Sequence, residues 1–242
     1  MPREFEIRRE VELPATPEQV WEAIATGPGN AAWLFPIEIA DHKGGTSADG
    51  SMVTVWDPPR HFAARAEGEQ GWFNAVEAIV EGREGGSTVL RWVHSGIFVD
   101  DWDNQYDSAD HHTDFYLHTL GQYLRYFSGR TATYIGAQGP PASTGRDAFR
   151  VLRRALGLTD DAAEGDRVRL APPALDPMDA VVDYLAPQFI GLRTADGLYR
   201  FFGRNAWGMP VGLGHHLFAE GVDQDKTTQA WRAWLEAALA EA

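Results

Sequence analysis

His94 is the residue whose type and setting come nearest to chemistry. It lies in a run, residues 88–98, where Leu90, Trp92 and Phe98 fall on the same face of an extended segment. On a concave apolar face an imidazole orients a ligand or moves a proton. The same residue can equally serve as a core histidine with its hydrogen bond satisfied. Arg65 is the second candidate, an anion-stabilising group in a run from 61 to 66 whose inward face the sequence does not reveal. Around these two stand Trp33, Phe35, Trp56, Trp92, Phe98, Phe115 and Tyr116. Such large amphipathic rings either line a cavity or pack a core.

A second cluster, Asp100, Asp101, Asp103, Asp107, Asp110, His111, His112 and Asp114, offers oxygen and nitrogen donors of the kind a divalent cation takes. Its spacing matches neither an EF-hand loop nor a histidine pair on one helical face. Acidic residues also favour the positive N-terminal end of a helix. No metal site and no cofactor are therefore assigned. Phosphate-loop, zinc-protease, nucleophile-elbow and dinucleotide motifs are all absent from the sequence. The chain has no cysteine, so disulfides, thiolate metal sites and cysteine nucleophiles are excluded. With 21 basic against 35 acidic residues its formal charge is −14, which repels phosphate backbones and makes nucleic acid an unexpected partner. No apolar run reaches the roughly 18–20 residues a membrane helix needs, so no membrane insertion is expected and the expected location is the cytoplasm.

The elements that must position these residues are legible from periodicity. In residues 5–13, Phe5, Ile7, Val11 and Leu13 alternate with charged residues, the pattern of a half-buried strand that only Arg9 interrupts. Thr16, Pro17 and Gln19 form a capping-box start for a helix, which Gly27-Pro28-Gly29 stops. Strand candidates follow at 52–56, 61–66, 72–81 and 88–98, with turn-rich gaps too short for crossover helices, so an antiparallel meander is expected. The acidic stretch 100–114 then leads into a long helix ending near Ser128-Gly129.

The pattern starts again further on. Helix 148–156 precedes strand candidates at 167–170, 180–185, 189–193, 198–202 and 211–218, and a last helix spans 227–240. Residues 53–65 align without a gap on 181–193, matching Val53, Pro59 and Arg65 to Val181, Pro187 and Arg193, and Trp56 to Tyr184. His94 and Phe98 find counterparts near His215 and Phe218. The expected organisation is a first domain at 1–136, a linker at 137–145 and a shorter, degenerate copy at 146–242 that lacks a counterpart of the first strand.

Three motifs in order carry a resemblance: Ile7 to Ile24, Val53 to Arg60 (V-T-V-W-D-P-P-R) and Thr88 to Phe98 (T-V-L-R-W-V-H-S-G-I-F), followed by the closing helix. Together they are similar to the START-like, or SRPBCC, superfamily of polyketide cyclase and lipid-transport proteins. The nearest branch is the activator of heat-shock-protein-90 ATPase homologues. The resemblance implies an α+β helix-grip fold, a curved antiparallel sheet around a long C-terminal helix, here in tandem. Two departures stand out: Ala64-Arg65-Ala66 where relatives usually carry a tryptophan, and Asp114-Phe115-Tyr116 where they tend to have Gly-Trp. The first functional reading is binding of a small hydrophobic molecule (lipid-, polyketide- or aromatic-like), with catalysis left open and binding without turnover the favoured side. Trp33, Phe35, Trp56, Trp92, His94, Phe98, Phe115 and Tyr116 would line its site. A cyclase or dehydratase using His94 and Arg65, and a module that contacts a chaperone or another protein, are the alternatives.

Overall fold

The computed structural model describes residues 2–172 and 174–240. The chain forms two compact units, 1–131 and 132–242. Unit 1 runs β1 (Arg3–Leu13), α1 (Pro17–Ala25), α2 (Gly27–Ala31), β2 (Met52–Asp57), β3 (His61–Glu67), β4 (Phe73–Gly82), β5 (Thr88–Phe98) and α3 (Trp102–Tyr126). Its five strands are antiparallel in the order β1-β5-β4-β3-β2, so the first strand closes against the last. The alternation in β1 does what its pattern requires: Phe5, Ile7 and Leu13 are buried, and Arg9 faces α3.

α1 begins on the expected capping box. The Thr16 hydroxyl accepts from the Gln19 amide, and the Gln19 side chain accepts from the Thr16 amide at 2.9 Å. Thr16→Ala should lower stability by about 1 kcal/mol, read as a shift in urea midpoint, while Thr16→Ser keeps most of it. The glycine pair beyond α1 does not end helical structure; it folds the chain back into α2. A side chain at Gly29 would put its Cβ 2.0 Å from the Glu22 carbonyl oxygen, so only glycine permits that approach.

Unit 2 runs β6 (Thr133–Gln138), α4 (Ala148–Ala155), β7 (Arg167–Leu170), β8 (Met178–Ala186), β9 (Phe189–Arg193), β10 (Gly197–Phe202), β11 (Gly212–Leu217) and α5 (Gln224–Ala238). Its sheet order is β6-β11-β10-β9-β8-β7. β6 pairs with β11 as β1 pairs with β5, so the second copy has its first strand after all. That strand is short and interrupted by glycine, Thr133-Tyr134-Ile135-Gly136-Ala137-Gln138, and it lacks the long alternation that marks β1. The glycine- and proline-rich segment 137–145 holds the end of β6 and a 3-10 turn at Pro141–Thr144.

The two sheets share a register. Reading across strands, Ile7, His94, Val76, Ala64 and Val53 form one row of unit 1. Ile135, His215, Tyr199, Leu192 and Val182 form the corresponding row of unit 2. A bulge follows at once in both, at Thr54 after Val53 and at Asp183 after Val182. The chain is therefore a tandem helix-grip repeat. The ungapped alignment holds for β3 on β9, but it slips by one residue in the strand before, because the unit 2 hairpin turn is one residue shorter. Trp56 consequently lies over Leu185, not Tyr184.

Candidate functional site

A cavity of about 280 Å³ lies in unit 1 between the sheet, α3 and the segment that follows α2. The sheet contributes alternate residues, as strand geometry dictates: Phe62, Ala64 and Ala66 from β3, Asn74 and Val76 from β4, Trp92 and His94 from β5. α3 contributes Ala109, His112, Thr113, Tyr116 and Leu117. The fourth wall is the irregular segment carrying Leu34, Phe35, Ile37 and Ile39, with Ser47, Asp49 and Ser51 beyond it. Small side chains at 64, 66 and 76 leave the space that larger ones would fill.

Trp33 is placed by the turn between the two short helices. The Asn30 amide donates to the carbonyls of Ile24 and Thr26 at 3.0 and 3.1 Å, capping the end of α1 from within. That fixes α2, and Trp33 then donates its indole N–H to the Ala23 carbonyl at 2.9 Å and meets Trp92 edge-on at 6.1 Å. Trp33 is 1% exposed, so the wall it forms is rigid. Phe35, on the irregular segment, is 41% exposed and lies edge-on to Tyr116 at 6.4 Å.

His94 is the polar centre of the cavity. Its Nε2 lies 2.8 Å from the Asn74 side-chain oxygen, so Nε2 carries the proton and donates. The edge of Phe5 abuts the imidazole at 4.9 Å. Burial among apolar side chains pulls its pKa down to about 4, so the ring is neutral at pH 7. A neutral imidazole held by an amide orients a polar atom of a guest without bringing a charge into the cavity. On the opposite wall, His112 donates from Nδ1 to the Ser108 carbonyl at 2.7 Å.

The other expected site residues divide. Trp33, Phe35, Trp92, His94 and Tyr116 are brought together around the cavity. Phe98 stacks on Phe5 at 4.1 Å, the ring whose edge abuts His94, and does not itself line the cavity. Half-buried Trp56 packs against Trp21 at 5.0 Å and Phe115 is fully buried in the core, and neither lines the cavity. Arg65 lies on the other face of β3, because Ala64 and Ala66 point into the cavity and a strand has period two. There it pairs with Glu67 at 2.8 Å and covers the Phe73 ring. His94 and Arg65 therefore stand on opposite faces of the sheet, with His94 alone lining the cavity. Asn74, Ala64 and Val76 were not anticipated; the legible signal for Asn74 was a lone amide on the apolar face of β4.

The acidic run does not precede the long helix but forms its first turns, since α3 starts at Trp102. Arg9 explains part of it. Its guanidinium bonds Asp114 at 2.5 Å and Asp110 at 2.9 Å, tying α3 to β1, and these partners push the Arg9 pKa further up. Among the described residues no three His, Asp or Glu side chains converge as a metal site would require, and no helix is long and apolar enough to cross a membrane.

A curved antiparallel sheet closed by its first strand and gripping a long terminal helix, with a cavity between them, defines a START-like helix-grip domain. The chain carries the sheet and closing helix of that architecture twice, and the cavity described lies in unit 1. No protein-family model and no curated protein matches the sequence. Solved structures do. The di-domain ARO/CYC BexL from the BE-7585A biosynthetic pathway is similar over 98% of this chain and 99% of its own, at 12% identity and a TM-score of 0.43. DynU16, from the dynemicin biosynthetic locus, is similar over 97% and 96%, at 15% identity and a TM-score of 0.43. The Aha1 dimer from Colwellia psychrerythraea is similar over 50% of this chain and 96% of its own, at 18% identity and a TM-score of 0.38. At these TM-scores the fold assignment rests on the strand order and helix placement of this chain itself.

Proposed function

We propose that unit 1 binds one small hydrophobic molecule in the cavity between sheet and α3. The observation that carries this is the combination of a part-open, mostly apolar cavity of about 280 Å³ with the neutral, amide-held imidazole of His94 on its sheet wall. Small-molecule sites typically run from roughly 300 to 1,000 Å³, with few polar groups in a mostly apolar lining. This one lies at the small end, which favours a compact ring system or a short acyl chain over a two-chain lipid. The indoles of Trp33 and Trp92 favour a flat guest, and His94 favours one with a polar atom. The chemistry supports binding rather than turnover, since the second group of the acid–base pair, Arg65, is on the other face.

The test fills the cavity. Ala64 stands in His94's row in the middle of the β3 wall, and Ala64→Trp places an indole where the guest would lie. Titration with 1-anilinonaphthalene-8-sulfonate should give one saturable site in the natural protein and loss of it in the variant, both with the same circular dichroism spectrum. Compounds that displace the dye from the natural protein then identify the guest. Undiminished, displaceable dye binding by a folded Ala64→Trp protein would place the site elsewhere.

A further inference from the structure

We infer that unit 2 carries a closed copy of the same cavity, plugged by its own Tyr199 and Trp231 side chains around His215, so that the chain has an aromatic-ring site in unit 2 occupied from within. This rests on the reading of the unit 1 space as a ligand pocket. The shared register makes the comparison position by position. Where unit 1 has Val76, Ala78 and Ala64, unit 2 has Tyr199, Phe201 and Leu192. Each exchange puts a larger side chain on the inner face.

The histidine is kept, and it is stranded. His94 donates to Asn74, but the position of Asn74 is Gly197 in unit 2. Glycine is needed there, since a Cβ would lie 2.8 Å from the Tyr199 ring that now covers it. His215 Nδ1 accepts the Arg200 backbone N–H at 3.1 Å, so the proton of the neutral ring is on Nε2. That Nε2 is fully buried with no hydrogen-bond partner among the described residues, and so is the indole nitrogen of Trp231. The two rings meet edge-on at 4.5 Å, with Tyr199 at 4.9 Å and Phe201 at 5.0 Å from the imidazole. Two unpaired buried donors beside each other are an expensive arrangement for a plain core. They fit a site built for a flat apolar ring bearing an acceptor atom, now closed by aromatic side chains. Burial holds His215 neutral, its pKa far below the ordinary value, as it does for His94.

Restoring the unit 1 residues should reopen it. In Tyr199→Val/Phe201→Ala, 5-fluoroindole followed by fluorine NMR should show a bound resonance that the natural protein lacks. A cavity of order 150 Å³ in a protein core suffices for a single aromatic ring. The added resonance should persist when Ala64→Trp is introduced, which removes any resonance due to unit 1. A natural protein with no bound resonance and a double variant that gains one would sink the unit 1 reading and leave this inference standing. A folded double variant with no added resonance overturns the inference. Should the double variant not fold, Tyr199→Val alone in the Ala64→Trp background decides: a concentration-dependent rise in melting temperature with indole supports the inference, and no rise overturns it.

Discussion

Arg200→Met is expected to destabilise the protein by about 3–5 kcal/mol, among the largest effects available to a single substitution in this chain. Arg200 and Asp183 form a forked ion pair at 2.9 and 3.1 Å, with side chains only 1% and 4% exposed. Burial works against the guanidinium charge and pushes the Arg200 pKa down, and Asp183 opposes that shift. Asp183 reaches its partner because it is the bulge residue of β8, displaced from the ladder and directed across Gly191. A Cβ at Gly191 would stand 2.3 Å from the Asp183 carboxylate. Removing the guanidinium takes away the forked partner of a carboxylate that is 4% exposed, and breaking a buried pair from one side costs far more than the pair itself contributes. Exchanging both, as Asp183→Leu/Arg200→Met, should recover most of the loss. Urea unfolding of the two variants and the natural protein makes the comparison; equal stability of the single variant and the natural protein would show the pair to be solvated.

Acid should weaken the fold through His94 by up to roughly 3 kcal/mol, since each pKa unit of difference is worth about 1.4 kcal/mol. The sign follows from where the proton prefers to be. The unfolded imidazole titrates near its ordinary value of 6.5, and the folded one near 4. Between these values the unfolded chain binds the extra proton, so stability falls as pH drops from about 6.5 towards 4 and then levels off. Above 6.5 this contribution is flat. His215, shifted in the same direction, adds to the slope and remains in the variant. His94→Gln should therefore reduce the loss of melting temperature between pH 7 and pH 4.5 without abolishing it. A variant with the natural protein's full acid slope would show that His94 is solvated when the chain is folded.

How much of this was legible beforehand differs from element to element. The Thr16 capping box, the β1 alternation and the boundaries of β5, β7 and β9 are local facts: a hydroxyl, a proline or a two-residue period decides them within a few positions. The residues of β6 show no strand pattern by themselves, because six residues with a central glycine carry too little alternation; pairing with β11 makes them a strand. The start of α3 is hidden in the sequence because its first turns are acidic and apolar residues are sparse, and a partner that ties it down, Arg9, lies far back in the chain on β1. For the site, the aromatic inventory pointed to the right face of β5, whereas the face of Arg65 depended on how β3 sits in the sheet.

By itself, then, the order of residues determined the element types, the antiparallel meander, the tandem arrangement and the candidacy of His94, all of which follow from short-range periodicity and turn chemistry. Only the tertiary structure decided that Arg65 faces away, that Asn74 holds the imidazole, and that equivalent rows are open around His94 and filled around His215. The physical reason is that a cavity is a deficit of volume among residues from many strands. Ala64, Val76 and Ala78 each look unexceptional alone; a space exists because the register sets them side by side, and it closes where Leu192, Tyr199 and Phe201 take their places.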